Sequence, residues 1–467
     1  MKKKNIKQNV NKKEFPKSRS IQILKQAKGS IKSKSKVIDC SEKFAVIGAG
    51  PMGLAVARNF QKFDIPFDGF EKHSSVGGLW DIENPHSTVY ESAHLISSKK
   101  RTEFTEYPMG DDVPDYPSHR ELIKYFQSFA DHFKLNDYYY FNETIDRIEP
   151  DLETSLWFVK LKSGKKFLYK GIILASGTLH EPNIPNIPGK FSGKILHSAE
   201  YKSADIFANK KVLIVGAGNS GCDIAVDAVH RAKTVSISLR RGYHFVPKYV
   251  FGKPADTIGG LIKLPAFAKQ LIDGFLLKWF TGDPVRFGFP KPDHKIYESH
   301  PIVNSLVLYH AGHGDIQVTT DIRSFDGKKV VFIDGTSQEY DLILYATGYK
   351  LHYPFIDKDI LDWKGSMPDF YMNTFSRRFP GLVIAGMIEA AGIGWQGRYD
   401  QAELIARYIR NWNSDTLAYR DYRKSIQNDY PDLSGGFSYV KLDRMSYYVH
   451  KNTFLKKIKE QSSYLTI

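Results

Sequence analysis

Short apolar runs alternate with glycine-rich turns and helical segments along much of the chain. Phe44–Ile47 has the composition of a buried strand, and a glycine-rich stretch, a helix over 54–63 and a strand over 67–71 follow it. The same order returns at Val212–Val215, with a further strand over 235–239. Apolar strands that alternate with helices predict βαβ units and a parallel sheet, so the pattern indicates an α/β fold built around two such units.

The remaining apolar segments predict elements between and after these two units. A capping box, in which Ser118 precedes Glu121 by three positions, begins a helix that runs to about Leu135. Three prolines between residues 182 and 188 mark a linker before the second unit. Further predicted elements are a hairpin over 156–161 and 166–169, strands over 172–175, 342–345 and 382–385, and a helix over 398–412.

The first glycine-rich turn, Gly48-Ala49-Gly50-Pro51-Met52-Gly53, fits the GxGxxG pattern directly after a strand. Gly48 allows the tight turn, Gly50 lets the backbone approach a pyrophosphate, and Gly53 lets the helix pack close to the strand. Phosphates then lie at the helix N-terminus, where free N–H groups favour anions. Glu71, at the end of the second strand, stands where a carboxylate binds a ribose. The alternative is a plain turn with an incidental surface glutamate, but the complete pattern favours a dinucleotide with an unphosphorylated ribose, which suits FAD.

The second turn, Gly216-Ala217-Gly218-Asn219-Ser220-Gly221, repeats the pattern after its own strand. The next strand ends in Leu239-Arg240-Arg241 and carries no acid. Arginine attracts a 2′-phosphate that a carboxylate would repel, so this site is expected to prefer NADPH over NADH. The alternative is that both arginines are solvated surface charges. Two such sites in one chain indicate hydride transfer from a nicotinamide to a flavin.

Charge and cysteine content change this picture little. The net charge is +15, but residues 1–43 hold 14 Lys/Arg and 3 Asp/Glu, a net of +11, which leaves +4 for the rest. The composition of this polar segment predicts a disordered arm that aids solubility. Contact with anionic surfaces is the more specific alternative, and a transit peptide is a weaker one. We expect no specific binding of nucleic acid. Cys40 and Cys222 form neither a disulfide framework nor the redox pair of a disulfide reductase.

Between the two turns lies Phe191-Ser192-Gly193-Lys194-Ile195-Leu196-His197-Ser198-Ala199-Glu200-Tyr201, which fits FxGxxxHxxxY. This is the identifying motif of the flavin-containing monooxygenases, and the chain resembles that family of class B flavoprotein monooxygenases from Phe44 to about Trp412. Three further segments are similar to motifs of the family: Glu71-Lys72 followed by Gly77-Gly78-Leu79-Trp80, then Ala346-Thr347-Gly348-Tyr349, and then residues 386–401.

The resemblance implies a fold and a set of cofactor-binding residues. It implies two Rossmann-like dinucleotide-binding domains, with the NADPH domain (206–340) inserted into the FAD domain (44–205 and 341–467). The FAD residues implied are Gly48, Gly50, Pro51, Met52, Gly53, Glu71, Lys72, Gly78, Leu79, Trp80 and Gln401. The NADPH residues implied are Gly216, Gly218, Asn219, Ser220, Gly221, Arg240, Arg241, Thr347 and Gly348. No metal is implied.

The resemblance also implies the reaction. NADPH reduces FAD, and the reduced flavin reacts with O₂ to give a C4a-hydroperoxide that transfers one oxygen atom to a small-molecule substrate. His197 is expected to organise the interdomain linker. The branch that oxidises soft N or S nucleophiles is favoured, because the motif ends in Tyr201 and no arginine between Trp80 and Arg101 would stabilise the anion that attacks a ketone. Oxygenation of a ketone or a 2-oxo acid is the alternative.

One departure from the family concerns oxygen activation. Family members commonly carry an asparagine eight residues before the Phe of an FSDFP-like segment, which here is Phe104–Pro108, and that position is Ile96. Ser97 or Ser98 is expected to occupy the flavin-facing space instead. The departure predicts increased H₂O₂ release, and it supports an NADPH oxidase or a sensor as a third hypothesis.

Residues 242–300 exceed what a simple βαβ crossover needs. Apolar residues recur there at nearly helical spacing, namely Leu261, Leu264, Phe267, Leu271, Phe275 and Leu276. Such an apolar stripe is usually part of the core, and a lid or a membrane-surface helix are the alternatives. We expect a helical insertion near the substrate channel. Residues 451–467 lack the hydrophobic anchor of membrane-bound relatives, so we expect a soluble, cytoplasmic enzyme; a homodimer is left open.

Overall fold

The computed structural model describes residues 37–258 and 265–465. In chain order its strands are β1 (Val37–Ile47), β2 (Phe67–Phe70), β3 (Tyr139–Tyr140), β4 (Ile145–Asp151), β5 (Leu156–Leu161), β6 (Lys166–Leu174), β7 (Glu181–Pro182), β8 (Gly189–Phe191), β9 (Lys194–His197), β10 (Lys211–Val215), β11 (Thr234–Ser238), β12 (Tyr249–Val250), β13 (Lys253–Pro254), β14 (Ile316–Thr319), β15 (Ile322–Gly327), β16 (Lys329–Phe332), β17 (Ser337–Glu339), β18 (Leu342–Tyr345), β19 (Tyr349–Lys350), β20 (Trp363–Lys364), β21 (Met367–Pro368), β22 (Phe370–Tyr371), β23 (Phe375–Ser376) and β24 (Leu382–Ile384). Its α-helices are α1 (Pro51–Lys62), α2 (Lys99–Thr102), α3 (His119–His132), α4 (Asn219–Val229), α5 (Ala266–Thr281), α6 (Leu306–His313), α7 (Gly394–Asn413), α8 (Leu417–Asn428) and α9 (Lys451–Tyr464).

The first sheet has the order β22-β23-β24-β6-β1-β2-β3, and the β4–β5 hairpin continues from β6. Its central strands β24, β6, β1 and β2 run parallel. Ile47 at the end of β1 is level with Phe70 and with Leu174. Gly48, Glu71 and Ala175 therefore follow these strands at one edge of the sheet.

The second sheet has the order β14-β11-β10-β18-β9, and all its pairs are parallel. Val215 at the end of β10 is level with Ser238 and with Tyr345. Ligands of such sheets bind in the crevice outside the carboxyl ends of the strands. The two glycine-rich turns thus lie at the two edges where dinucleotides are expected.

Apolar residues cover both faces of each sheet. One face of the first sheet packs against α1, α3 and α7, through side chains such as Phe60, Phe126 and Leu404. The second sheet packs against α4 and α6, through Ile224 and Val307. Each such large side chain contributes roughly 1.5–3 kcal/mol when buried, so these layers hold the turn edges in place.

The strands correct the predicted boundaries. β1 begins at Val37, and its residues 37–40 pair with 166–169, so the last part of the predicted disordered arm is a strand; residues 1–36 lie outside the described residues. β9 and β18 both belong to the second sheet, across the predicted boundaries at 205/206 and 340/341. The predicted strands over 166–169 and 172–175 form the single strand β6. Backbone pairing needs no apolar side chains, so the apolar pattern did not mark these limits.

Of the alternatives for the apolar stripe of the insertion, burial in the core is the one that the structure does not show. Leu261 and Leu264 lie outside the described residues, whereas Phe267, Leu271 and Phe275 are on α5 and are 67%, 72% and 63% exposed. Periodicity showed a helix with one apolar face but could not show which face meets the protein. In residues 37–258 and 265–465, no helix combines the length and hydropathy needed to cross a bilayer.

Candidate functional site

The first glycine-rich turn joins β1 to α1 in a backbone that only glycine permits. Gly48 has φ +110°, and a Cβ there would lie 2.7 Å from the carbonyl oxygen of Ala175. A Cβ at Gly53 would lie 1.9 Å from the carbonyl oxygen of Gly48. The N-cap of α1 is Gly50, and no side chain caps the helix there. Its N-terminus can therefore receive a phosphate, as the pattern predicts.

Glu71 is buried beside this turn. One carboxylate oxygen accepts the Ala49 N–H at 2.8 Å and the other accepts the His73 N–H at 2.9 Å. Each carboxylate oxygen has two lone pairs, so both retain capacity for a ribose hydroxyl. Lys72, the next residue, is exposed.

The segment Gly77–Trp80 lies against the same turn, as its predicted role requires. Gly77 donates its N–H to the Ala49 carbonyl at 3.0 Å. A Cβ at Gly78 would lie 2.9 Å from the Gly50 Cα, so the two backbones need glycine to approach this closely. Trp80 meets Trp395 edge to face at 6.0 Å, which brings the predicted C-terminal flavin segment to the same place.

Gln401 of α7 holds this C-terminal segment in place through two hydrogen bonds. Its side chain is fully buried, its Oε1 accepts the Gly386 N–H at 3.0 Å, and its Nε2 donates to the Thr374 hydroxyl at 2.7 Å. A Cβ at Gly386 would lie 3.0 Å from Met52 on α1. These two hydrogen bonds position Gly386, and the predicted contact of Gln401 with FAD stays a prediction, since each end of the amide keeps one further donor or acceptor position.

Ser97 and Ser98 precede α2 and differ in what they offer. The Ser97 hydroxyl is 2.8 Å from that of Thr102. Ser98 is buried, and its Oγ has no partner in the described part of the chain. The Ser98 N–H donates to Asp256 Oδ2 at 2.7 Å, and Arg101 Nε donates to the Asp256 carbonyl at 3.0 Å. The insertion thus reaches the segment that was expected to face the flavin.

The second turn, between β10 and α4, repeats the geometry of the first. Gly216 has φ +105°, and a Cβ at Gly221 would lie 2.0 Å from the Gly216 carbonyl oxygen. Around Gly218, the N-cap of α4, a Cβ would meet no described atom within 4 Å. The open space above an uncapped helix N-terminus suits a pyrophosphate.

Asn219 and Ser220 begin α4. The Asn219 side chain accepts the Val303 N–H at 2.7 Å and donates to the Pro301 carbonyl at 3.3 Å, so it ties the turn to the segment that leads into α6. Ser220 is partly exposed at the first turn of the helix. The Asn219 side chain already makes two hydrogen bonds, so Ser220 is the better placed of the two residues to bind a phosphate.

Arg240 and Arg241 follow β11 and have different surroundings. Arg240 is exposed. Arg241 pairs with Asp293 of the insertion, at 2.8 Å from its NH2 nitrogen and 3.3 Å from Nε, while its NH1 nitrogen is buried without a partner among the described residues. Hydrogen bonds from His294 and Arg241 lower the pKa of Asp293, so its carboxylate is ionised beside the expected 2′-phosphate.

His197 ends β9 and is buried. Its Nδ1 accepts the Ala199 N–H at 3.1 Å, and its ring meets Tyr349 edge to face at 5.3 Å. Burial lowers the pKa of His197, so the ring is neutral near pH 7. A neutral ring between the motif and the Thr347–Tyr349 loop fits the expected organising role rather than proton transfer.

The Thr347–Gly348 loop is held by the linker. Thr347 donates its hydroxyl to the Asn183 carbonyl at 2.5 Å, and Gly348 has φ +81°. Tyr201, which ends the identifying motif, donates to Asp227 of α4 at 2.9 Å. The motif therefore fixes α4 and the loop against the linker, and the Thr347 hydroxyl is already occupied.

Two acidic residues of the insertion were missed by sequence reasoning. Asp256 meets Ser98, and Asp293 meets Arg241. Neither belongs to a motif, and each is far along the chain from its partner. A search for acids between residues 242 and 300 would have named candidates, but only the tertiary structure gives their positions.

Comparison with known proteins finds related sequences over most of the chain. The family described as "FMO-like: Flavin-binding monooxygenase-like" matches residues 41–458. Flavin-containing monooxygenase 5 of Rattus norvegicus is 29% identical over 440 residues, which cover 84% of this chain and 81% of the rat protein.

Solved structures share the fold at lower identity. S-allyl-L-cysteine S-oxygenase from Allium sativum superposes with a TM-score of 0.61 at 20% identity, over 91% of this chain and 90% of its own. A polycyclic ketone monooxygenase from the fungus Thermothelomyces thermophila gives 0.70 at 15% identity, over 94% and 90%. The two names describe different substrates, so the shared fold alone does not select one.

Proposed function

Because the chain belongs to the flavin-binding monooxygenase-like family, we propose that it uses NADPH and O₂ to oxygenate a soft nitrogen or sulfur nucleophile. It is a flavin-dependent monooxygenase, and FAD and NADPH are its expected cofactors. When bound, the flavin supplies the redox chemistry and the activation of oxygen, which no side chain of the protein provides.

The residues present fit these two cofactors. At the first edge, Gly50 and Gly78 leave the backbone open, α1 begins without a side-chain cap, and Glu71 retains lone pairs for a ribose. At the second edge, Gly218 faces open space, and two arginines follow the second strand. We assign FAD to the first edge and NADPH to the second on these grounds.

The choice of substrate rests on the hydrogen-bond partners of the cationic side chains near the first edge. Arg398 donates to the carbonyl oxygens of Gly394 and Ile388, and Arg101 donates to that of Asp256. The Lys99 ammonium donates to the carbonyls of Gly110 and Val113. Oxygen transfer to an electrophilic ketone needs a fixed cation to hold developing negative charge, whereas transfer to a sulfide or an amine does not. Arg398 and Lys99 are held by backbone carbonyls and the exposed Arg101 donates to one through Nε, an arrangement that supports the nucleophilic substrates.

The test is an oxygen-transfer assay on the FAD-loaded protein. NADPH and O₂ consumption are followed with a thioether, a tertiary amine and a cyclic ketone, and the products are identified. We expect S-oxide and N-oxide to form and the ketone to remain. A lactone from the ketone, with no oxide from the other two, would transfer the assignment to ketone oxygenation.

A second candidate function, NADPH oxidase activity, is favoured by the environment of Ser97 and Ser98. The contact between the Ser97 hydroxyl and Thr102 supports the view that Ser97 is a weak substitute for the amide that relatives commonly carry near this position. We therefore expect H₂O₂ to account for a measurable share of the NADPH consumed, even with a good substrate present. Peroxide and product are measured in the same reaction, and product formed in equal amount to NADPH consumed would reject this expectation.

A further inference from the structure

Arg101 and Lys451 are two cationic side chains that lie between two segments expected to face the flavin. Arg101 is on α2, which directly follows the two serines described above, and a Cβ at Gly394 of α7 would lie 2.1 Å from its carbonyl oxygen. Lys451 begins α9, and a Cβ at Gly392 would lie 4.0 Å from its ammonium nitrogen. The pair therefore borders both the segment before α2 and the loop over 386–394.

The charges of this pair are not met by the protein. Lys451 is partly buried, yet it makes neither a hydrogen bond nor an ion pair with any residue in 37–258 and 265–465. Arg101 uses only its Nε, which donates to the Asp256 carbonyl at 3.0 Å, so its two terminal nitrogens have no partner in the same ranges. Burial and the charge of Arg101 lower the pKa of Lys451. A partly buried ammonium without a counter-charge is costly, and an anion beside it would remove that cost.

Asp256 offsets part of this positive charge. Its carboxylate opposes the lowering of the pKa of Lys451 but is outweighed by burial and by Arg101. One of its oxygens, Oδ2, accepts the Ser98 N–H at 2.7 Å, and the other, Oδ1, is buried. Two cations and one carboxylate leave one net positive charge. Because the cations are the more exposed groups, an anion that enters from solvent meets them first.

The start of α9 adds to the preference for an anion. α9 packs beside α7 and runs in the same direction, since a Cβ at Gly397 would lie 3.3 Å from Leu455 and Asn411 donates its amide to the Leu465 carbonyl at 3.2 Å. No side chain caps α9, so the N–H groups of its first turn and the positive end of its dipole lie beside Lys451. This helix end supplements the two side-chain cations and does not by itself make a site.

We propose that Arg101 and Lys451 bind a carboxylate of the substrate, so that the nucleophile oxygenated by this protein is an anionic thioether or amine. The inference rests on the proposed function. A guanidinium binds a carboxylate through parallel hydrogen bonds, and the ammonium adds a further donor. The phosphates of the two cofactors are assigned to the starts of α1 and α4, so the anion for this place comes from the substrate. A guanidinium engaged by a carboxylate is also unavailable to an oxygen anion at the flavin, which agrees with a nucleophilic substrate.

The experiment compares two thioethers that differ in charge, β-(methylthio)propionate and its primary amide, with full-length, FAD-loaded protein. S-oxide formation gives kcat/KM for each, and the measured quantity is the ratio of the carboxylate value to the amide value. We expect this ratio to be at least about ten in the wild type, and Arg101→Met and Lys451→Met each to lower it about fivefold or more. Lys456→Met, at an exposed position of α9, is the matched control and should keep the wild-type ratio.

A second measurement does not depend on turnover. The sulfone of the same carboxylate has no lone pair on sulfur to accept oxygen, and its binding to the FAD-loaded protein is followed by calorimetry. We expect Arg101→Met and Lys451→Met each to bind it about tenfold more weakly than the wild type and Lys456→Met do. Lys451→Arg retains the charge and should retain most of the affinity. Flavin content and circular dichroism check that each variant is folded.

The outcomes separate this inference from the proposed function. A wild-type ratio near one, or a ratio and a sulfone affinity that neither substitution changes, would overturn the inference and leave oxygen transfer to sulfur standing. If neither thioether yields an S-oxide, the proposed function fails, and the sulfone titration still decides whether the pair binds a carboxylate. Weaker binding of NADPH or FAD in both variants, with unchanged sulfone affinity, would assign the pair to a cofactor phosphate instead.

Discussion

The buried carboxylate of Glu71 fixes the backbone of the first turn by accepting two backbone N–H groups. It is 6% exposed and holds the N–H groups of Ala49 and His73, on either side of the space expected for the adenosine ribose. Without the carboxylate, two N–H groups lose their acceptor in a buried place, which costs about 1–3 kcal/mol for each. The residue therefore shapes the turn as well as offering lone pairs to a ligand.

We expect Glu71→Ala to purify with little FAD. The ratio of flavin absorbance to protein absorbance after desalting measures this, and added FAD should restore it only at much higher concentration. Glu83→Ala, at an exposed position in the same region, is the control and should keep its flavin. Full flavin occupancy in Glu71→Ala would show that the ribose is bound by other groups.

Asp293 limits what Arg241 can offer to a 2′-phosphate. The pair is 2.8 Å apart, and the ionised carboxylate both neutralises the guanidinium and repels a phosphate dianion. We expect Asp293→Asn to raise the preference for NADPH over NADH by about tenfold or less. Arg240→Ala should lower the same ratio of kcat/KM values. An unchanged ratio in both variants would place the 2′-phosphate away from the end of β11.

At the scale of elements, α7 supports the flavin edge through a single amide. Gln401 accepts from Gly386 and donates to Thr374, so it joins the helix to the loop after β24. Gly386 in turn lies against Met52 of α1. The loop over 386–394 is thus held from two helices, and its position depends on a residue that does not itself need to touch a cofactor.

We expect Gln401→Leu to destabilise the protein by about 1–3 kcal/mol even after FAD is removed, because the Gly386 N–H loses its acceptor. Urea unfolding of the flavin-free form measures this. Gln127→Leu, on the exposed side of α3, should leave the midpoint unchanged. If Gln401→Leu weakens FAD binding and leaves the flavin-free protein as stable as the wild type, Gln401 is a direct ligand.

Elements buried on both faces were the ones that the sequence predicted well. β10, β11, β18 and β24 lie within a residue or so of their predicted bounds, because strands of parallel sheets are continuous apolar runs. The polar start of β1 carries no such signal. Periodicity also indicated the helix α5, but it could not show whether the apolar face of the helix is buried against the protein or exposed.

The site was predictable where a motif fixes the backbone. Both glycine-rich turns have the predicted form, because positive φ angles and close approaches of the backbone demand glycine at fixed spacing. The acids Asp256 and Asp293 have no such spacing. Their contacts depend on how a 59-residue insertion, residues 242–300, folds back over two edges, and no local pattern encodes that.

At the scale of the whole molecule, a polar cluster joins three distant segments. His300 of the insertion is 3.2 Å from the Tyr448 hydroxyl, and Glu389 after β24 pairs with Arg444 at 3.1 Å. Burial, together with Arg444 and Arg398, lowers the pKa of His300 to about 3. The cluster therefore depends on His300 remaining neutral.

This gives a direction for acid stability. The unfolded chain protonates His300 near its ordinary pKa of 6.5, whereas the folded protein keeps it neutral down to about pH 3, so stability falls as pH decreases between these values. At about pH 5 the loss from this residue is up to about 2 kcal/mol. We expect the difference in Tm between about pH 7.5 and about pH 5 to be smaller in His300→Gln than in the wild type. His132→Gln, at the end of α3, is the control; an equal difference in His300→Gln would contradict the assignment.

The order of strands in the first sheet also bears on synthesis. β24 pairs with residues 172–174 of β6, yet it is made only after every strand of the second sheet. During translation, the edge of β6 that later pairs with β24 therefore stays unpaired while some two hundred residues are added to the chain. The second sheet can close in the meantime, since its strands all lie between β6 and β24. Nascent chains stalled before residue 382 should therefore present an aggregation-prone apolar edge, Ile172–Leu174, and be the ones that chaperones have to protect.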